Sequence, residues 1–133
     1  MTVHQEEFGV STRGRCDVLD ITAQVARIVA ASGARTGVVN ISGVGSTLGV
    51  TTLEFEPGCV ADLQRALEKI APSNRDYAHN ARWGDENGYS HLRSALMGTA
   101  KTSRWPPAGF SSGRGSKSFC AISTTARASV VWW

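Results

Sequence analysis

Two histidines, His79 and His91, lie in the segment from Asp76 to Gly98, DYAHNARWGDENGYSHLRSALMG, together with Asp76, Asp85, Glu86, Asn87, Ser90 and Arg93. Imidazole titrates near neutral pH and ligates divalent metals. A pair among carboxylates is therefore equipped to bind phosphate, move protons or hold a metal ion. The spacing is neither i,i+4 on a helix nor a standard zinc signature, so it names no particular metal. For a lone histidine, a hydrogen bond to a local turn is the commoner role. Arg93 reads as a surface charge, Trp83 as packing, and Asp85 and Glu86 as a solvated loop.

Elements must position these groups. Asp20 is placed to cap a helix whose Ile21, Val25, Ile28 and Val29 recur at helical spacing, with Gly33 as its stop. Val3–Thr12 reads as an extended strand. Thr36–Ile41 and Val50–Phe55 read as short β-branched strands, joined through the Gly- and Ser-rich turn Ser42–Gly49. Pro57 suits the first turn of a second helix, in which Val60, Leu63, Leu67 and Ile70 form the inward face and Pro72 marks the end. Ser90–Met97 predicts one or two further helical turns closed by Gly98. This order predicts an α+β domain, a mixed β-sheet packed with helices.

The 133 residues, 41% hydrophobic and 19% charged, suit one globular domain. A net charge of +3 without a basic run argues against nucleic-acid binding. The apolar stretches are too short to span a bilayer, and MTVHQEEFGV is not a secretory signal. Cys16, Cys59 and Cys120, odd in number and without CxxC spacing, indicate free thiols and a cytoplasmic setting. Cys59 at a helix start reads as a structural thiol.

From Ser103 to Trp133 the character changes. The stretch is rich in Ser, Gly, Arg and Ala, lacks Asp and Glu, and shows no sustained periodicity. Residues 1–102 are thus expected to form the domain and 103–133 a disordered tail, although VVWW is unusually apolar for one.

The helix ending ASGARTG, the run GSTLGVTTLEFEPG, the helix bearing Asp62, DYAHN and NGYSHLRSALMGT resemble, in order and spacing, the YjbQ-like family. Its members are often called secondary thiamine-phosphate synthase enzymes. The resemblance covers roughly Gln5 to Lys101. Family members usually open the turn with His-Thr-Thr or His-Thr-Ser; here Gly45, Ser46 and Thr47 stand at those positions, so the first histidine is absent. The resemblance implies a site made of Glu54, Asp62, His79, Asn87 and His91. It also implies a small phosphorylated ligand, weak joining of a pyrimidine diphosphate to a thiazole phosphate, and a homo-oligomer, commonly a trimer, where the C-terminal strands are intact. With both histidines matching the motif, a site is favoured over two local hydrogen bonds.

In that site His79 and His91 are the catalytic candidates, and Glu54 and Asp62 could join them around a divalent metal. The plainer roles are a solvated strand end for Glu54 and a charge near a helix N-terminus for Asp62. The Gly45–Thr47 turn could present N–H groups to an anion, with Asn87 beside it, though such turns more often just reverse the chain. The alternatives to catalysis are a small-ligand or metal-binding protein and an inactive truncated product.

The family continues with a Gly-Arg-Leu turn, a Gly-Thr-Trp-Gln motif and an Arg-rich final strand, which this chain lacks. Back-translated with GC-rich codons and read one nucleotide out of register, Arg104 to Ser116 becomes roughly Pro-Val-Ala-Ala-Gly-Arg-Leu-Leu-Leu-Gly-Thr-Trp-Gln-Gln. From Ser118 the same register gives Val-Leu-Cys-Asp-Phe-Asp-Asn-Arg-Pro-Arg-Glu-Arg-Arg-Val-Val. The degenerate bases are chosen, but the Trp105–Pro106 junction forces an alanine codon. A frame break near Thr102–Ser103 is the expectation.

Overall fold

The structure, a computed structural model, describes residues 3–105, 117–123 and 127–132. Strand β1 (His4–Phe8) and strand β2 (Asp17–Asp20) precede helix α1 (Thr22–Ser32). Strands β3 (Gly37–Val44) and β4 (Leu48–Leu53) follow, then helices α2 (Pro57–Ile70), α3 (Ala78–Trp83) and α4 (Gly88–Met97). Strands β5 (Ala100–Trp105), β6 (Ser118–Ser123) and β7 (Arg127–Trp132) complete the order. One sheet runs β1-β7-β3-β5 and the other β2-β6-β4, with every pairing antiparallel. The chain is an α+β domain.

Helix α1 begins one residue after the expected cap: its N-cap residue is Ile21, which makes no side-chain cap bond. Asp20 Oδ1 accepts from the Thr22 N–H at 2.9 Å, and Gly33, at φ 71°, ends α1 in the left-handed conformation that glycine adopts freely. At α2, Glu56 is the N-cap residue and its carboxylate accepts from the N–H groups of Gly58 and Cys59, with Pro57 at the first position.

Strand β6 separates two apolar clusters. Phe119 and Ala121 pack with Ile21, Val25, Ile28 and Val29 of the α1 segment and with β3 and β4. Cys120 and Ile122 face the other way, towards Leu67, Val60 and Leu63 of α2. Alternate residues of β6, the central strand of its sheet, thus serve two buried faces.

Four expectations are corrected. Strand β2 and helix α3 were not foreseen. Strands β3 and β4 reach into the turn between them, shortening it. Ile70 is 59% exposed, leaving Leu67 as the buried anchor of α2. The expected boundary at residue 102 falls inside β5, and β6 and β7 are paired strands, so these parts of the tail belong to the sheets. Buried on both faces, the SFCAIS strand carries a continuous apolar run where a half-buried strand would alternate. The remaining tail residues, 106–116, 124–126 and 133, lie outside the described residues, as does the segment expected to hide Gly-Thr-Trp-Gln.

Candidate functional site

Helix α4 brings the functional residues together by lying on β4. The Ser94 hydroxyl donates to the Leu48 carbonyl at 2.6 Å, and the Val50 N–H donates to the Gly98 carbonyl at 3.0 Å. Gly49 lets the helix approach: a Cβ there would lie 2.5 Å from Met97 Cε. Helix α3 docks on the start of α4 at Gly88, whose N–H donates to Asn80 Oδ1 at 2.9 Å. A Cβ on Gly88 would sit 2.7 Å from Tyr77 Cβ, so this junction requires glycine. The Tyr77 hydroxyl donates to the Pro72 carbonyl at 2.8 Å and pins the entry to α3.

These anchors set His79 of α3 beside His91 of α4, ring centroids 4.4 Å apart and planes inclined by 56°. His91 Nδ1 lies 3.1 Å from the Ser46 carbonyl oxygen. A carbonyl only accepts, so this bond places a proton on Nδ1 and leaves the Nε2 lone pair for a metal or a proton. His79 Nε2 lies 3.3 Å from Asp85 Oδ2. One ligand atom from each of His79, Asp85 and His91 falls within 4.8 Å of the others. Donors at about 2.0–2.2 Å from one tetrahedral ion lie about 3.3–3.6 Å from each other, so gaps approaching the 4.8 Å limit must narrow by up to about 1.5 Å to close the set. Two imidazoles and a carboxylate suit a divalent transition metal, and three protein ligands leave room for an exogenous one.

The other candidates separate. Ser46 contributes its carbonyl to His91, while Gly45 and Ser46 line an open depression beside that imidazole. Thr47 lines a smaller recess with Ser90 and Met97. Asn87 ends the loop before α4, and its carbonyl accepts from Ser90 and His91 N–H groups at 2.8 and 3.3 Å. Its Oδ1 is buried without a partner among the described residues. Asp62 pairs with Arg65 on the exposed side of α2. Glu54 follows β4. Neither carboxylate joins the three-residue ligand group. The carboxylate that does, Asp85, reads in sequence as a solvated loop residue; its place between two histidines was the available signal.

Arg93 is also relocated. It is only 5% exposed, donates twice to the Ala71 carbonyl at 2.7 and 3.0 Å, and pairs with Glu68. It holds the end of α2 against α4, where sequence had placed a surface charge.

Residues 6–103 match the family model described as UPF0047 protein YjbQ-like. The chain belongs to this YjbQ-like family. A UPF0047 protein of Methanothermobacter thermautotrophicus is 34% identical over 102 residues, covering 77% of this chain and 70% of that one. One from Archaeoglobus fulgidus is 31% identical over 94 residues, covering 71% of each. The crystal structure of a YbjQ-like protein from Sulfolobus solfataricus P2 shares the fold at a TM-score of 0.84 and 24% identity, covering 98% of this chain and 95% of that one. A hypothetical protein from Aeropyrum pernix K1 does so at 0.82 and 21%, covering 96% and 95%. The YjbQ-like sequence match therefore ends where the chain's composition changes, and the fold likeness extends beyond it. No described helix is long and apolar enough to cross a membrane.

Proposed function

We propose that this YjbQ-like chain binds a divalent cation at His79, Asp85 and His91 and a small phosphorylated ligand against it. The observation that carries this reading is the gathering of those three ligand atoms within 4.8 Å from α3, the following loop and α4. The bound cation would neutralise charge on the ligand's phosphate oxygens. His91, with its Nδ1 fixed by Ser46, offers Nε2 in one orientation; Asp85 orients His79.

The reaction that suits such a site is the joining of a pyrimidine diphosphate to a thiazole phosphate. The thiazole nitrogen forms a bond to the pyrimidine methylene carbon as the carbon–oxygen bond breaks, and diphosphate leaves with the electron pair. A cation held by His79, Asp85 and His91 would stabilise the charge that develops on the departing oxygens. The test is turnover of the two precursors by the wild-type chain and by His91→Ala, with and without added Mg²⁺ or Mn²⁺. Metal-dependent formation of thiamine phosphate, reduced at least about 100-fold in the variant, is expected if His91 holds the cation that stabilises the departing charge. Metal and phosphate binding without turnover would make the chain a binding protein, and activity unchanged in His91→Ala would remove the catalytic role.

A further inference from the structure

Among the described residues, three that are not glycine have left-handed backbone: Arg15 at φ 53°, Cys16 at 63° and Glu86 at 51°. All three line one cavity of about 700 Å³, bounded by the start of β2, one face of α2 and the beginning of α4. Side-chain-bearing residues avoid this conformation. It persists where surrounding bonds impose it, and it gathers at functional sites. Here the bonds are visible. Gln64 Nε2 donates to the Cys16 carbonyl at 3.0 Å, the Asp17 N–H donates to the Gly14 carbonyl at 3.1 Å, and the Arg13 N–H donates to Asp17 Oδ2 at 3.0 Å. Glu86 is confined between Asp85, which meets His79, and Asn87, whose carbonyl receives the first N–H groups of α4.

The charges around the cavity do not all cancel one another. Arg93 and Glu68 satisfy each other, with the Arg93 guanidinium 4.8 Å from the Tyr89 ring centroid. Arg65 pairs along the exposed side of α2 with Asp62. Arg15 is exposed and forms no ion pair among the described residues; Glu86 is the opposing carboxylate. Gln64, Ser73 and Tyr89 add neutral polar groups. The volume falls within the range of small-molecule sites, and guanidinium forks match phosphate oxygens.

We propose that this cavity, separate from the histidine cluster, is a second binding site for a small molecule carrying a phosphate or diphosphate group, with Arg15 as its unpaired cationic contact. Glu86, by its charge, limits the affinity.

Pyrophosphate titrated calorimetrically into the full chain, with chelator present to keep divalent cations from the histidines, tests this. Wild type and His91→Ala should bind with the same affinity, Arg15→Gln about tenfold or more weaker, and Glu86→Gln more tightly, as expected when one charge-assisted contact is removed or one repulsion relieved. Absence of saturable binding to wild type, or equal binding by wild type and Arg15→Gln, would overturn the proposal. Loss of binding in His91→Ala would overturn it too, by assigning the anion to the histidines; the metal site itself is unaffected by any of these results.

Discussion

Arg93 and Glu68 join the last turns of α2 to α4: the buried guanidinium spans from the Glu68 carboxylate to the Ala71 carbonyl. Removing the cation leaves the Ala71 carbonyl without its side-chain donors, while the half-exposed Glu68 keeps its bonds from Ser73. Arg93→Met should therefore lower unfolding free energy by about 2–3 kcal/mol, near the cost of an unsatisfied buried group. Urea denaturation measures it; a loss under about 0.5 kcal/mol would show the bonds to be dispensable.

The same pair sets an acid dependence. The Ser73 N–H and then the Arg93 guanidinium hold the Glu68 carboxyl below its ordinary value. A carboxyl whose folded value is depressed contributes stability above its unfolded value of about 4.3, and that contribution is lost as pH falls through the folded value. Thermal melts of Glu68→Gln should thus start lower near neutral pH and fall less steeply below about pH 4. Parallel curves for wild type and variant would exclude this contribution.

The three thiols should separate by reactivity. Burial pushes Cys120 up to about 12, and burial also raises Cys16, whereas Cys59 is partly exposed in the first turn of α2. An aromatic disulfide reagent at pH 8 should label one thiol quickly, the other two only as the chain unfolds, and Cys59→Ser should remove the quick phase. Three equal rates would contradict this placement.

Phe119 is fully buried, its N–H donates to Thr22 Oγ1 at 2.9 Å, and its carbonyl accepts from the Ile21 N–H at 2.9 Å. Phe119→Ala should cost about 3–5 kcal/mol, the range for emptying a large aromatic site. A cost below about 1 kcal/mol would place β6 outside the core.

We propose that the reading frame shifts near codon 102. The YjbQ-like match ends at residue 103, and the matched lengths are only 70% and 71% of the two curated relatives. In the coding DNA, one insertion or deletion at that point should restore Gly-Thr-Trp-Gln. The proposal fails if no single-base change does so.

What was legible in the sequence follows from local chemistry. Asp20, Gly33 and Pro57 act on their own neighbours, so α1 and the start of α2 were readable from local signals, whereas Glu56, the N-cap of α2, was not read as one. Helix α3 buries no residue fully and shows no apolar stripe in AHNARW, so its existence depends on Tyr77 and Asn80 meeting Gly88 at the start of α4. The histidine pair was readable by type, but Asp85 as its carboxylate was not, because loop geometry selects it over Glu86 one residue later. Arg93 was misplaced for a related reason: its acceptors lie on a helix end 22 residues away. The left-handed Arg15, Cys16 and Glu86 carry no glycine to announce them.

Metal titration of the histidine cluster is the most direct measurement. Calorimetry with Zn²⁺ should give one ion per chain for wild type, with affinity reduced at least about tenfold by Asp85→Asn and further by His91→Ala, while Asp62→Asn binds as wild type does. Wild-type affinity in Asp85→Asn, or no saturable Zn²⁺ binding to wild type, would contradict a metal site at His79, Asp85 and His91.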